Sequence, residues 1–162
     1  MLNGRWLEVD IGQQVLTLWQ YRQPIKRYLI SSALKGSGQQ KNSQQTPLGK
    51  HLVRAKIGDN QPLNCVFKAR RPTGELYSES LAQCYPNRDW ILTRILWLSG
   101  CEKGFNRLGQ VDTMQRYIYI HGTPDSEPMG VARSHGCIRM RNCDIIELFD
   151  AVAVGTPVTI HL

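Results

Sequence analysis

Tyr117-Ile118-Tyr119-Ile120-His121-Gly122-Thr123, a short loop, and then Ser134-His135-Gly136-Cys137-Ile138-Arg139-Met140-Arg141-Asn142 form the stretch that decides how this chain reads. The first segment is rich in β-branched and aromatic residues and predicts a strand that ends in His121. Pro124, Pro128 and Gly130 then turn the chain, and Cys137 follows just ahead of a helix. A thiol is a useful nucleophile only as thiolate, and its free pKa is about 8.5. A neighbouring imidazole that takes its proton supplies the missing step. His121 and His135 are the two candidates. His135 is tied to the local turn of the cysteine, whereas His121 approaches from a neighbouring strand, which suits a base better. Gly136 allows a tight backbone, so amides around residues 135–137 can converge on one point and stabilise an oxyanion.

Working outward, Trp6, Glu8 and Asp10 alternate with Leu7, Val9 and Ile11, the period of a half-buried strand. Gly12-Gln13-Gln14 is a turn. Val15 to Tyr21 predicts the second arm of a hairpin, and Ile25 to Ser32 a third strand. Residues 35–45, rich in Gly, Ser, Gln and Lys, read as a loop. Thr46-Pro47-Leu48-Gly49 is a turn before a strand from His51 to Ile57. Residues 58–89 carry little periodicity and read as irregular excursions. Trp90 to Leu98 is apolar and β-prone, a central strand. Asn142 is placed as the N-cap of the one clear helix, with Asp144 in its first turn. Ile145, Leu148, Phe149 and Val152 form its apolar face. Gly155-Thr156-Pro157 stops it, and Val158 to Leu162 closes as a strand. The expectation is one mainly β domain over residues 1–162 with one substantial C-terminal helix.

A chain of 162 residues can bury a real core without staples. Its net charge is +7, but the basic residues are scattered, with no run longer than Arg70-Arg71. That argues against a nucleic-acid partner. No run of apolar residues is long enough for a membrane span. Glu8 and Asp10 interrupt the apolar run that a signal segment needs. The five cysteines, Cys65, Cys84, Cys101, Cys137 and Cys143, show no metal or redox spacing and suit a reducing compartment. Both features set the expectation of a cytoplasmic protein. A zinc site from His121, His135, Cys137 and Cys143 is the rival reading, but metal pairs recur at short regular spacings and these do not. The four cysteines other than Cys137 read as structural.

Ser134-His135-Gly136-Cys137 after an upstream His121-Gly122 resembles the signature of the L,D-transpeptidase (YkuD) family. Thr46-Pro47-Leu48-Gly49 is similar to that family's Thr-Pro-x-Gly turn. Arg107 to Thr123 is similar to its approach to the active site, and Asp144 to Ile160 to its closing helix and strand. The likeness is weakest over residues 58–89. It implies a β-sandwich-like domain whose cysteine takes an acyl group from a peptidoglycan tetrapeptide, breaking the bond between a diamino acid and D-alanine. Water resolves the thioester in a carboxypeptidase and an amine resolves it in a transpeptidase. No metal or cofactor is implied.

Carried over by position, the resemblance makes Cys137 the nucleophile and His121 the base. The Gly122 carbonyl orients the imidazole, and amides at His135, Gly136 and Cys137 form the oxyanion hole. Arg139 stands where many members carry Asn, and the short gap from His121 to Ser134 implies a small loop over the site. Arg133, Arg139 and Arg141 crowd the nucleophile in sequence, and a guanidinium fork suits a substrate carboxylate. Arg139 is the preferred clamp. Arg133, Ser134 and Tyr119 complete the expected substrate-contacting set. The expected partner is a muropeptide or peptidoglycan tetrapeptide. With the cytoplasmic expectation above, the chain resembles the family's cytoplasmic L,D-carboxypeptidase members that trim recycled muropeptides, with wall cross-linking outside the cytoplasm as the alternative.

Overall fold

A computed structural model describes residues 4–162; residues 1–3, part of the N-terminal reading, lie outside the described residues. In chain order the strands are β1 (Arg5–Asp10), β2 (Val15–Gln20), β3 (Gln23–Leu29), β4 (Gly49–Ile57), β5 (Cys65–Lys68) and β6 (Arg71–Leu76). Helix α1 (Glu79–Cys84) and strand β7 (Ile91–Gly100) follow, then β8 (Tyr119–Thr123), β9 (Ile138–Arg141), helix α2 (Asn142–Ala151) and β10 (Pro157–His161). They make one curled sheet in the order β3-β2-β1-β10-β4-β7-β5-β6, with β8 paired to β7 and β9 paired to β8.

The predicted alternation in β1 holds. Leu7 and Val9 are fully buried and register against Leu18 and Leu16 of β2, while Trp6 stacks on Trp19 on the opposite face. The inward residues of the curl meet Leu96 and Leu98 of β7, Ile120 of β8, Ile138 and Met140 of β9, and Ile145, Leu148 and Phe149 of α2. Each large apolar side chain buried in this way contributes roughly 1.5–3 kcal/mol. This core fixes the parallel pair β8–β9, whose register sets His121 beside Arg139. Successive side chains of a strand point to opposite faces. Ile118 and Ile120 therefore enter the core, and Tyr119 and His121 face the other way, with Cys137 and Arg139.

Several elements differ from the sequence reading. Residues 58–89 are not irregular: β5 and β6 form a hairpin and α1 follows it. The signal was weak for physical reasons. β5 is only 4 residues long, and β6 is an edge strand whose solvent exposure tolerates Pro72 and Gly74. The hairpin turn uses Ala69 and Arg70 at positive φ, 47° and 64°, in place of an Asn-Gly pair. A strand, β9, separates Cys137 from the helix. His121 lies within β8 rather than at its end, and β3 stops at Leu29 rather than Ser32. Arg141, not Asn142, is the N-cap of α2, because the Asn142 side chain is drawn inward.

Candidate active site

The Cys137 sulfur is held from β8 and the residues before it. The Tyr119 amide donates to it at 3.3 Å, and the thiol donates to the Tyr117 carbonyl at 3.4 Å. Burial pushes the thiol up to about 12, which outweighs the opposing pull of the Tyr119 amide, Arg139 and Arg116. Asp89 pushes in the same direction as burial. The residue as a whole keeps partial solvent access. At neutral pH the resting nucleophile is therefore a protonated thiol.

His121 is 1% exposed and faces the same cavity as Cys137. Its Nδ1 lies 2.6 Å from the Gly122 carbonyl, so Nδ1 carries the proton and Nε2 keeps a free lone pair. Burial holds the imidazole below its ordinary value, so it too is neutral at rest. Gly122 is required by space. A Cβ there would come within 2.6 Å of the Leu92 carbonyl and 2.5 Å of Asn142 Oδ1. Asn142 locks this region. It accepts from Thr93 Oγ1 at 2.6 Å and donates to the Thr123 carbonyl at 2.9 Å. The β7 bulge around Thr93, which has φ 71°, brings that hydroxyl into place.

The turn carrying the nucleophile is internally tied. Ser134 Oγ donates to the Cys137 carbonyl and accepts from the Gly136 amide at 3.2 Å. Gly136 takes φ 134°, a conformation that side chains disfavour, and Thr46 Oγ1 donates to its carbonyl at 2.9 Å. The Thr46-Pro47-Leu48-Gly49 turn thus supports the nucleophile directly. The Gly136 amide is thus spent on Ser134 and is withdrawn from the expected set of oxyanion donors.

Arg139 is nearly buried, and its guanidinium reaches Asp89 at 3.0 Å and Glu127 at 3.7 Å. Its Nε is buried with no partner among the described residues. Asp89 also lies 3.7 Å from Nδ1 of the exposed His135. Other sequence assignments change. Tyr119 packs against Trp97 and donates no side chain to the thiol cavity; its hydroxyl accepts from Arg70 at 2.9 Å. Ser134 borders the cavity, but its hydroxyl is occupied within the turn. Arg133 and Arg141 are exposed and do not line it. Among the other cysteines Cys65 is buried, but Cys84, Cys101 and Cys143 are exposed, and all five thiols are free.

Sequence reasoning missed Asp89 and Arg116. Both line the thiol cavity, which holds about 80 Å³. Asp89 lay in the stretch without periodicity. Arg116 sat one residue before the motif, where only a fold could show which way it faced. A larger cavity of about 860 Å³ opens on the far side of Asp89, bordered by Ala69, Tyr85 and Arg88. A third, of about 260 Å³, continues from Arg116, Tyr117 and His135 toward Lys41 and Gln44. The arrangement offers a thiol, an imidazole acceptor, backbone donors and two flanking recesses, which together suit acyl transfer.

The L,D-transpeptidase catalytic domain (YkuD) family profile matches residues 4–160. YkuD of Bacillus subtilis (strain 168), assigned as an L,D-transpeptidase, is 55% identical over 47 residues, 29% of this chain and 29% of that protein. YbiS of Escherichia coli (strain K12), assigned likewise, is 51% identical over 43 residues, 26% of this chain and 14% of that protein. An L,D-transpeptidase from Mycobacterium smegmatis matches with a TM-score of 0.57 at 17% identity, covering 98% of this chain and 59% of that one. L,D-transpeptidase 3 from Mycobacterium tuberculosis matches with a TM-score of 0.59 at 16% identity, covering 98% of this chain and 61% of that one. At these identities the structural likeness carries the fold. The matched stretches span less than two thirds of each relative's length.

Proposed function

This chain belongs to the L,D-transpeptidase (YkuD) catalytic-domain family, and from that premise we propose that it is a cysteine-dependent L,D-carboxypeptidase of peptidoglycan tetrapeptides. The thiol proton passes to His121 Nε2 as sulfur adds to the carbonyl carbon of the diamino acid. The carbonyl oxygen, now anionic, meets the His135 and Cys137 amides. Collapse breaks the C–N bond, and His121 returns the proton to the amine of the departing D-alanine. Water then adds to the thioester with His121 taking its proton. The C–S bond breaks, releasing the tripeptide carboxylate and restoring the thiol.

The observation that carries the hydrolytic reading is how the loop after β8 is anchored. It is tied back to the chain after β3 through Gly130 to Ile30, Ser31 to Val131 and Arg133 to Ser31 and Ser32. From this loop Glu127 reaches toward the site through Arg139, and Asp125 accepts from Asn142 at 3.4 Å. Cys137 as a residue keeps partial solvent access, and water at about 55 M wins unless a pocket excludes it. Three exposed free thiols suit a reducing compartment and so support action on soluble muropeptides in the cytoplasm. The cavity beyond Asp89 favours a second reading, since it has room for an acceptor peptide and hence for cross-linking. Incubation with disaccharide-tetrapeptide alone, read by mass spectrometry, tests the choice. Tripeptide and free D-alanine support hydrolysis; a dominant cross-linked dimer overturns it.

A further inference from the structure

Two arginines line the thiol cavity, and they are in different electrostatic states. Arg139 is matched by two carboxylates, Asp89 and Glu127. Arg116 has none within ion-pair distance among the described residues. Its contacts are all to neutral oxygens: the Gly38 carbonyl at 3.1 Å, Ser43 Oγ at 3.3 Å and the Gln45 carbonyl at 2.6 Å. Those bonds fix the guanidinium at one place, so little side-chain entropy remains to be lost on binding. The nearest acid in sequence, Asp112, spends its two oxygens on the amides of Leu108 and Gln115. The recess that runs from Arg116 adds Lys41 and His135 and has no acidic residue in its lining. A half-buried cation without a counter-charge, beside a nucleophile and opening into a basic recess, is a place prepared for an anion.

We propose that Arg116 and the recess beside it form the carboxylate-binding subsite of this enzyme, the part that selects a stem peptide with a free carboxylate. The inference rests on the acyl-donor reading above and names the residue that recognises that donor. It moves the clamp from Arg139, whose partners are internal. The anion is either the terminal carboxylate of D-alanine or the distal carboxylate of the diamino acid, two sources of one chemistry.

The test compares Arg116→Gln and Arg116→Lys with the parent protein on three tetrapeptides: the free acid, its C-terminal amide, and one whose diamino acid is lysine. Circular dichroism melts check that the loop tied by Arg116 stays folded. Loss of a charge-assisted fork predicts a drop of roughly 10- to 100-fold in kcat/KM on the free acid for Arg116→Gln, with partial recovery in Arg116→Lys. The loss is expected to shrink on one of the other two peptides, and that one identifies the carboxylate. Equal losses on all three, as a purely loop-holding role would give, overturn the subsite. A second measurement separates this claim from the activity. Calorimetric titration of the free-acid tetrapeptide into Cys137→Ala protein, with and without Arg116→Gln, reads binding alone. If the parent enzyme releases no D-alanine yet binding depends on Arg116, the carboxypeptidase reading fails and the subsite stands. Binding that ignores Arg116, or no binding, removes the subsite.

Discussion

The backbone N–H of Tyr119 donates to the Cys137 sulfur across 3.3 Å, so the nucleophile is positioned by a strand neighbour rather than by its own turn alone. Beside its pairing with β7, that segment is braced by Arg70, at the tip of the β5–β6 hairpin. Its guanidinium donates to the Tyr119 hydroxyl at 2.9 Å and lies 4.6 Å from the Trp97 ring centroid and 4.8 Å from that of Tyr117. Cation–π contacts of this kind contribute about 0.5–2 kcal/mol each. Arg70→Ala is therefore expected to lower kcat by roughly 5- to 10-fold with little change in KM, because the sulfur loses its fixed neighbours. Steady-state kinetics on the tetrapeptide checks this; an unchanged kcat in a folded variant shows that residues 117–119 hold their place without Arg70.

The resting pair is neutral, with the thiol raised and the imidazole lowered by burial. Alkylation of Cys137 by iodoacetamide should accelerate steadily into the alkaline range, with no plateau near neutrality. His121→Ala should remove turnover by a factor of about 100 or more while leaving that alkylation profile nearly unchanged, since His121 acts as base during the reaction. A plateau near pH 7 that disappears in His121→Ala would establish a thiolate–imidazolium pair instead.

Acid should destabilise this fold in a defined window. His51 is buried, with its ring nitrogens 3.0 Å from the Gly49 carbonyl and 3.0 Å from Thr113 Oγ1. Burial lowers it from 6.5 to about 4. Above pH 6.5 neither state binds a proton here. Below it the unfolded chain does and the folded chain does not, so stability falls as pH drops toward 4, by up to about 3 kcal/mol. His121 acts in the same direction. Urea unfolding at a series of pH values should show this slope and a shallower one in His51→Gln. An equal slope in both would place the proton uptake elsewhere.

Asn142 joins α2, the β7 bulge and the end of β8 through buried hydrogen bonds. Asn142→Ala removes the acceptor of the Thr93 hydroxyl, which keeps only the Asn64 amide at 3.1 Å, and a donor to the Thr123 carbonyl, and a stability loss of about 2–4 kcal/mol is expected from denaturant unfolding. A loss below about 1 kcal/mol would mean that the network adds little beyond packing.

The same asparagine shows where sequence reasoning stops. Its type and position before a helix suggested a cap, but its side chain turns inward to partners from distant segments, Thr93, Thr123 and Asn64. The meeting of Cys137 and His121 at one cavity was legible because His121-Gly122 and Ser134-His135-Gly136-Cys137 are local patterns, and β1, β7 and α2 were legible because each buries one regular face. The β5–β6 hairpin was not, since an exposed edge strand carries no apolar period. Nor were Asp89 and Arg116, whose roles arise from segments far apart in the chain meeting at Cys137.

The central claim, that Cys137 carries the acyl group and water removes it, is tested most directly by rapid-quench mass spectrometry of the enzyme with tetrapeptide in heavy-oxygen water. The account predicts a transient adduct on the Cys137 peptide, equal to the tetrapeptide less D-alanine, decaying to tripeptide that carries one heavy oxygen. An adduct on Cys65, Cys84, Cys101 or Cys143, or an adduct that resolves only onto a second peptide, would contradict it.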